Sequence, residues 1–183
     1  WGSLPFCRCV LSTDGDEVGV GIGIARSKLS RKDVWITSKV GPPHYNFPLG
    51  FQDTLNQAAG ILKNYSSSYL DLLLIHNPNP KAADPPVVKP IDQRCVFGSG
   101  SYDETQCRLG TWRAMLQLWK EGKAKAVGVS NYMVEHLAEI ESAGLPLPAV
   151  NQVVMNPQIQ QKDLQMWCNA RGVKLQAFHS LGG

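Results

Sequence analysis

A lysine and a histidine each close an apolar run in this chain. Val34-Trp35-Ile36-Thr37-Ser38 leads into Lys39. Leu70-Asp71-Leu72-Leu73-Leu74-Ile75 leads into His76, and a turn-forming Asn77-Pro78 follows. Runs of branched apolar residues read as strands buried on both faces. In parallel sheets and barrels, ligands gather at the carboxyl ends of the strands. An ammonium and an imidazole on one rim make a polar pair over an apolar core, where chemistry is usually done. Singly, Lys39 reads as a solvated strand end and His76 as a strand cap; the pair points to function.

The elements that must position them follow from periodicity. Strands are expected at Asp33–Lys39, Tyr69–Ile75, Ala124–Val129, Ala149–Val154 and Val173–Phe178, with Phe6–Leu11 as a further short candidate. Helices are expected at Val18–Ser27, Phe51–Tyr65, Thr111–Glu121, Val134–Ser142 and Gln160–Ala170. The second carries Leu55, Ala58, Ala59 and Leu62 on its apolar side, and the third carries Trp112, Met115, Leu116 and Trp119. Gly122 stops the third helix. Gly19-Val20-Gly21-Ile22-Gly23 lacks the full dinucleotide fingerprint and reads as a glycine-weakened helix. Residues 77–108 form a long irregular loop rich in Pro and Gly, of a length that usually marks function or mobility. Alternating strands and helices demand parallel strands with right-handed crossovers. Polar residues recur at the strand ends: Lys39, His76, Ser130 with Asn131, Gln152, and His179. Contributions from many strands are the pattern of a barrel mouth rather than an open sheet.

The bulk properties exclude several classes. The chain has 183 residues, is 43% hydrophobic and 18% charged, and carries a net charge of +3. That balance is ordinary for a globular domain, and 1–183 reads as one domain. No basic run supports nucleic-acid binding. No apolar stretch approaches the roughly 20 residues of a transmembrane helix. The chain opens on Trp1 rather than Met, so it reads as processed, trimmed or part of a longer product. Cys7, Cys9, Cys95, Cys107 and Cys168 form an odd set without a zinc pattern. Cys95 and Cys107 could bridge in an oxidising compartment, but free thiols are the expectation.

Five segments in order resemble the aldo-keto reductase family: Val34–Lys39, Leu70–His76, Gly122–Tyr132, Val150–Val153 with Asn156-Pro157, and Ala177–Gly182. The resemblance runs from about Glu17 to the end. It implies a (β/α)8 TIM-type barrel, incomplete here at roughly strands 2 to 7, and reduction of small carbonyl substrates with NADP(H). It also implies roles. Lys39 stands where the family's lysine lowers the pKa of a catalytic tyrosine. His76 stands where a histidine orients the substrate carbonyl. Ser130, Asn131 and Gln152 match the residues that hydrogen-bond the nicotinamide carboxamide. Phe178 takes the place of a tyrosine that stacks on the ring, for which any aromatic face suffices.

The pattern departs from the family at the proton donor. Counting back from Val18-Gly19, the tyrosine position falls on Ser12 and its partner aspartate on Cys7. A serine hydroxyl is too weak an acid to replace a phenol unaided. Tyr45 is the loop candidate to substitute. The first strand is expected to be missing or reduced to Trp1–Pro5. The last strand and the segment that grips the adenosine phosphate in the family are missing from the pattern too. Open barrel edges need covering, so protein partners are an expectation. The sequence thus reads as a catalytically impaired scaffold or accessory subunit, with an active NADPH-dependent reductase fragment as the alternative. The family default is a cytoplasmic address, and an assembly subunit would suit an organelle. Trp35 reads as core or barrel wall rather than a substrate sensor, and Trp112, Trp119 and Trp167 as packing against the barrel. His44 and His136 carry no assigned role.

Overall fold

The computed structural model describes residues 8–11, 16–41, 50–78, 96–97 and 101–181. Six strands form one sheet in the order β1 (Arg8–Leu11), β2 (Val34–Val40), β3 (Leu70–Ile75), β6 (Ala124–Ser130), β7 (Val150–Val154) and β8 (Lys174–Phe178). Every pairing in it is parallel. β4 (Val96–Phe97) and β5 (Ser101–Tyr102) form a separate antiparallel pair. The helices are α1 (Glu17–Arg26), α2 (Gly50–Asn64), α3 (Glu104–Lys120), α4 (Val134–Ser142) and α5 (Lys162–Arg171).

Spatial order follows chain order without reversal. A doubly wound sheet reverses at a switch point, whereas single-direction winding is the barrel pattern. The chain is therefore an incomplete α/β barrel, as the strand-end pattern implies. The short Phe6–Leu11 candidate is present as β1, Arg8–Leu11, whereas the expectation of a first strand missing or reduced to Trp1–Pro5 falls on residues outside the described ones.

Register and pleat separate two faces. Ile36, Val40, Leu73, Ile75, Val127, Val129 and Val153 pack in one cluster with Ala58 and Ile61 of α2, Met115 of α3, Leu137 of α4 and Leu164 of α5. The helices cover that outer face. Trp35, Thr37 and Lys39 alternate onto the inner face, where β2 pairs Thr37 with Leu72 and Lys39 with Leu74. Trp35 is barrel wall, with its Nε1–H donating to Thr37 Oγ1 at 3.0 Å.

Four sequence expectations shift. α2 buries Thr54, Ala58 and Ile61, with Tyr65 just beyond its end, and leaves Ala59 exposed. Thr54 tolerates burial because its hydroxyl donates to the Gly50 carbonyl at 2.6 Å. α3 starts at Glu104, within the expected loop, because the Asp103 carboxylate caps it by accepting from the Gln106 N–H at 3.0 Å. The early start carries Cys107 into the buried first turns, where it is disulfide-bonded rather than a free thiol; Cys168 is free and buried. Trp112 packs in the core and Trp167 against it, but Trp119 is exposed at the edge of the buried face.

At the amino ends of the strands a charged knot pins β2, β3 and β6. Asp71 Oδ2 accepts from Arg31 Nη2 at 2.7 Å and from the Ile36 N–H at 3.0 Å, and its Oδ1 accepts from Lys125 Nζ at 3.0 Å. The Tyr69 ring lies between the two cations, 4.0 Å from the Arg31 guanidinium and 4.2 Å from the Lys125 ammonium. Burial alone would raise the Asp71 carboxyl, but the Ile36 N–H, Arg31 and Lys125 together hold it below the usual range.

Candidate functional site

The rim is assembled by register. β3 ends at Ile75, and the next residue, His76, donates its backbone N–H to the Val40 carbonyl at 2.8 Å. Ser130 pairs with Gln152, and Gln152 with Gln176, across β6, β7 and β8. Leu74 is level with both Lys39 and Gly128, so His76 and Ser130 lie one pleat repeat above Lys39 on the same face. That step is roughly 6–7 Å of strand rise. Phe178 pairs with Val154, one further repeat above Gln176, and is half-buried. The sheet therefore brings Lys39, His76, Ser130, Gln152 and Phe178 to one inner face at one end.

Two close approaches make this packing specific. A Cβ at Gly128 would stand 2.4 Å from the Val150 carbonyl oxygen and 2.8 Å from Leu74 Cδ2. Only glycine lets β6, β7 and the inner-face Leu74 close up there. Gly41, at φ +121°, follows β2 where a Cβ would meet the His76 Cβ at 3.2 Å.

Asn131 is the hinge of the rim. It follows β6 with φ +61°, a left-handed conformation that Asn tolerates better than most residues. Its side-chain Nδ2 donates to the His76 carbonyl at 3.0 Å and to Ser130 Oγ at 3.2 Å. Its backbone N–H and the Ser130 hydroxyl both donate to the Gln152 carbonyl, each at 2.9 Å. Gln152, 3% exposed, donates through Nε2 to Gln176 Oε1 at 3.0 Å. Its own Oε1 is buried without a partner. Leaving such a carbonyl unpaired costs about 1–3 kcal/mol, so an N–H donor arriving at the rim has an acceptor ready.

Behind this knot, Asn151 donates Nδ2 to the Tyr132 carbonyl at 2.8 Å on the outer face. α4 begins just beyond. The N–H of Met133 donates to His136 Nδ1 at 3.1 Å, and the His136 ring meets the buried Tyr132 edge-on. Burial, and then the nearby Arg108, push the His136 imidazolium pKa down. Arg108 is itself gripped from two sides by Glu139, at 2.9 and 2.7 Å. His136, given no role from sequence, is thus a buried neutral cap. His179 is exposed at φ +52°, its ring centroid 5.0 Å from that of Phe178.

Cys7, Ser12 and Tyr45 lie outside the described residues. β1 pairs Arg8 with Val34 and Leu11 with Thr37. Gln176 escaped the sequence reading. The signal was its place two residues before Phe178, on the same face by strand alternation. A separate cavity of about 470 Å³ lies between α2 and α3 at the other end of the strands, lined by Leu55, Leu62 and Leu118 among others. It touches none of the rim residues.

A family model described as the aldo/keto reductase family matches residues 15–183. The chain belongs to the aldo/keto reductase family. It is 36% identical over 166 residues to the glyoxal reductase of Bacillus subtilis, covering 91% of this chain and 50% of that protein. It is 34% identical to the glycerol 2-dehydrogenase (NADP(+)) of Saccharomyces cerevisiae, covering 91% of this chain and 53% of that one. The crystal structure of an aldo/keto reductase from Brucella melitensis superposes with a TM-score of 0.75 at 29% identity, over 96% of this chain and 59% of the other. A Gox0644 D53A mutant in complex with NADPH superposes at 0.72 and 25% identity, over 98% of this chain and 55% of the other. This aldo/keto reductase chain thus spans about half the length of the curated relatives it matches. Among its described residues no helix is long and apolar enough to cross a membrane.

Proposed function

We propose that this chain, as one barrel-type domain over 1–183, binds NADP(H) at the carboxyl-end rim, and that carbonyl reduction there is impaired for want of a strong acid. The observation that carries the binding is the Ser130–Asn131–Gln152 knot. It presents fixed amide groups and one buried, unpartnered carbonyl oxygen on the inner face. A carboxamide, which both donates and accepts, is complementary to such a set. Ser130, Asn131 and Gln152 would hold it, and Phe178 would offer its face for stacking. When bound, the reduced nicotinamide supplies a hydride. A relative solved with NADPH and one named for NADP(+) support that choice of cofactor.

His76 would orient a carbonyl oxygen by hydrogen bonding, and Lys39 would place positive charge close to developing alkoxide charge. The weak point in this chemistry is the acid. Ser12 in the tyrosine position is many pKa units weaker than a phenol, and Cys7 cannot serve as the partner carboxylate. A second reading, an active reductase, is favoured by the enzyme names of the relatives and by Lys39 and His76 sharing the inner face. The role of accessory subunit rests only on the β1 and β8 edges, which no described strand covers.

Mixing the chain with NADPH and a nitrobenzaldehyde separates these readings. The proposal expects saturable quenching of tryptophan fluorescence by NADPH and very slow loss of nicotinamide absorbance. Fast turnover that Lys39→Met abolishes would establish the second reading. Absence of binding would end both.

A further inference from the structure

The partner of Gln152 is itself a glutamine, and this creates a choice of orientation. Gln176 stands level with Gln152 on β8, and its Oε1 accepts the Gln152 Nε2–H at 3.0 Å. Gln152 is buried, while Gln176 is exposed. A primary amide can donate at one end and accept at the other. While Gln176 accepts, Gln152 must donate toward β8, and its own carbonyl is left over. That carbonyl oxygen is the buried unpartnered atom at the rim. Were Gln176 to donate instead, Gln152 would turn over and leave an N–H2 group there. Neighbouring groups do not settle the matter, because the Ser130 hydroxyl and the Asn131 N–H both engage the backbone carbonyl of Gln152 rather than its side chain.

We propose that Gln176 is a positioning residue: by accepting from the Gln152 amide it fixes the rim group as a hydrogen-bond acceptor and so selects ligands that bring an N–H2 donor. Resting on the NADP(H)-binding reading above, this assigns the preference for a carboxamide over an acetyl group on the pyridine ring to the Gln176 partner of Gln152.

The test is binding of the full chain to NADP(+) and to its 3-acetylpyridine analogue, which lacks the amide N–H2, measured by calorimetry. Gln176→Glu keeps an acceptor, Gln176→Lys supplies only a donor, and Gln176→Leu supplies neither. Native chain and Gln176→Glu are expected to prefer the carboxamide by about tenfold. Gln176→Lys is expected to erase or invert that ratio, and Gln176→Leu to reduce it. Gln176 is exposed, so the variants should melt like the native chain, and loss of packing alone would weaken both ligands equally. A ratio unchanged in Gln176→Lys and Gln176→Leu overturns the proposal while leaving cofactor binding intact. Failure of the native chain to bind either ligand overturns the parent reading, and this one with it.

Discussion

The side-chain amide of Asn131 donates to the backbone carbonyl of His76 across 3.0 Å, joining the ends of two strands that are 55 residues apart in sequence. This contact ties the histidine expected to orient a substrate to the turn expected to hold a cofactor. The Asn131 backbone conformation, at φ +61°, is what aims the amide there. Replacing Asn131 therefore removes two things, a tolerated left-handed residue and a bridge.

Asn131→Gly and Asn131→Ala separate them. Glycine adopts the left-handed conformation freely and loses only the amide, whereas alanine adds strain of about 1 kcal/mol. Asn131→Ala is expected to lower stability by about 2 kcal/mol and Asn131→Gly by less, while both weaken NADPH binding by about tenfold or more. Denaturant melts and fluorescence titration check the two effects separately.

Asp71 anchors the opposite end of the barrel. Its carboxyl is held below the usual range, so its contribution is fully present above the unfolded carboxylate pKa of about 4. It is lost as pH falls through the lowered native value. Asp71→Asn keeps the shape but leaves Arg31 without its carboxylate, and is expected to cost about 3 kcal/mol near neutral pH. The contribution of Lys125 to that loss is small, because it is more than half exposed. Melting temperature of the two proteins from pH 7 to pH 3 should converge toward the acid end. A constant difference across that range would contradict the assignment.

His136 behaves in the other sense. Its native pKa is pushed down, so the unfolded chain takes up the proton first. Stability is level above about pH 6.5 and falls as pH drops below it, through the lowered native value. Protonation also removes the Nδ1 acceptor that caps α4. His136→Gln is expected to flatten this slope and to cost about 1 kcal/mol at pH 7.5. Protection of the Met133 and Leu137 amides, after division by the pH-dependent intrinsic exchange rate, should fall in the native chain between pH 7 and pH 5, while protection in β3 is unchanged.

Much of this arrangement was legible in the sequence because its signals are local. The run Leu70–Ile75 is buried throughout, and a run apolar on both faces has few other homes. Strand ends marked by Lys39, His76, Ser130 and Gln152 indicated the rim because alternation fixes which face each residue takes. What was missed depends on partners far away in sequence. Arg108 looked like loop, yet it is buried in α3 because Glu139, 31 residues on, neutralises it. Thr54 was not among the residues assigned to the apolar side of its helix, yet it is buried because its hydroxyl is satisfied within that helix. Gln176 carried no charge and no motif, and only the register of β8 against β7 reveals that it meets Gln152.

The central claim is that the inner-face amides of β6 and β7 form a nicotinamide-recognition surface. Titration of the native chain and of Gln152→Leu with NADPH, followed by tryptophan fluorescence, tests it most directly. The account expects saturable binding by the native chain and at least tenfold weaker binding by Gln152→Leu, with both proteins melting cooperatively. A native chain that shows no binding, or a Gln152→Leu variant that binds equally well, would contradict it.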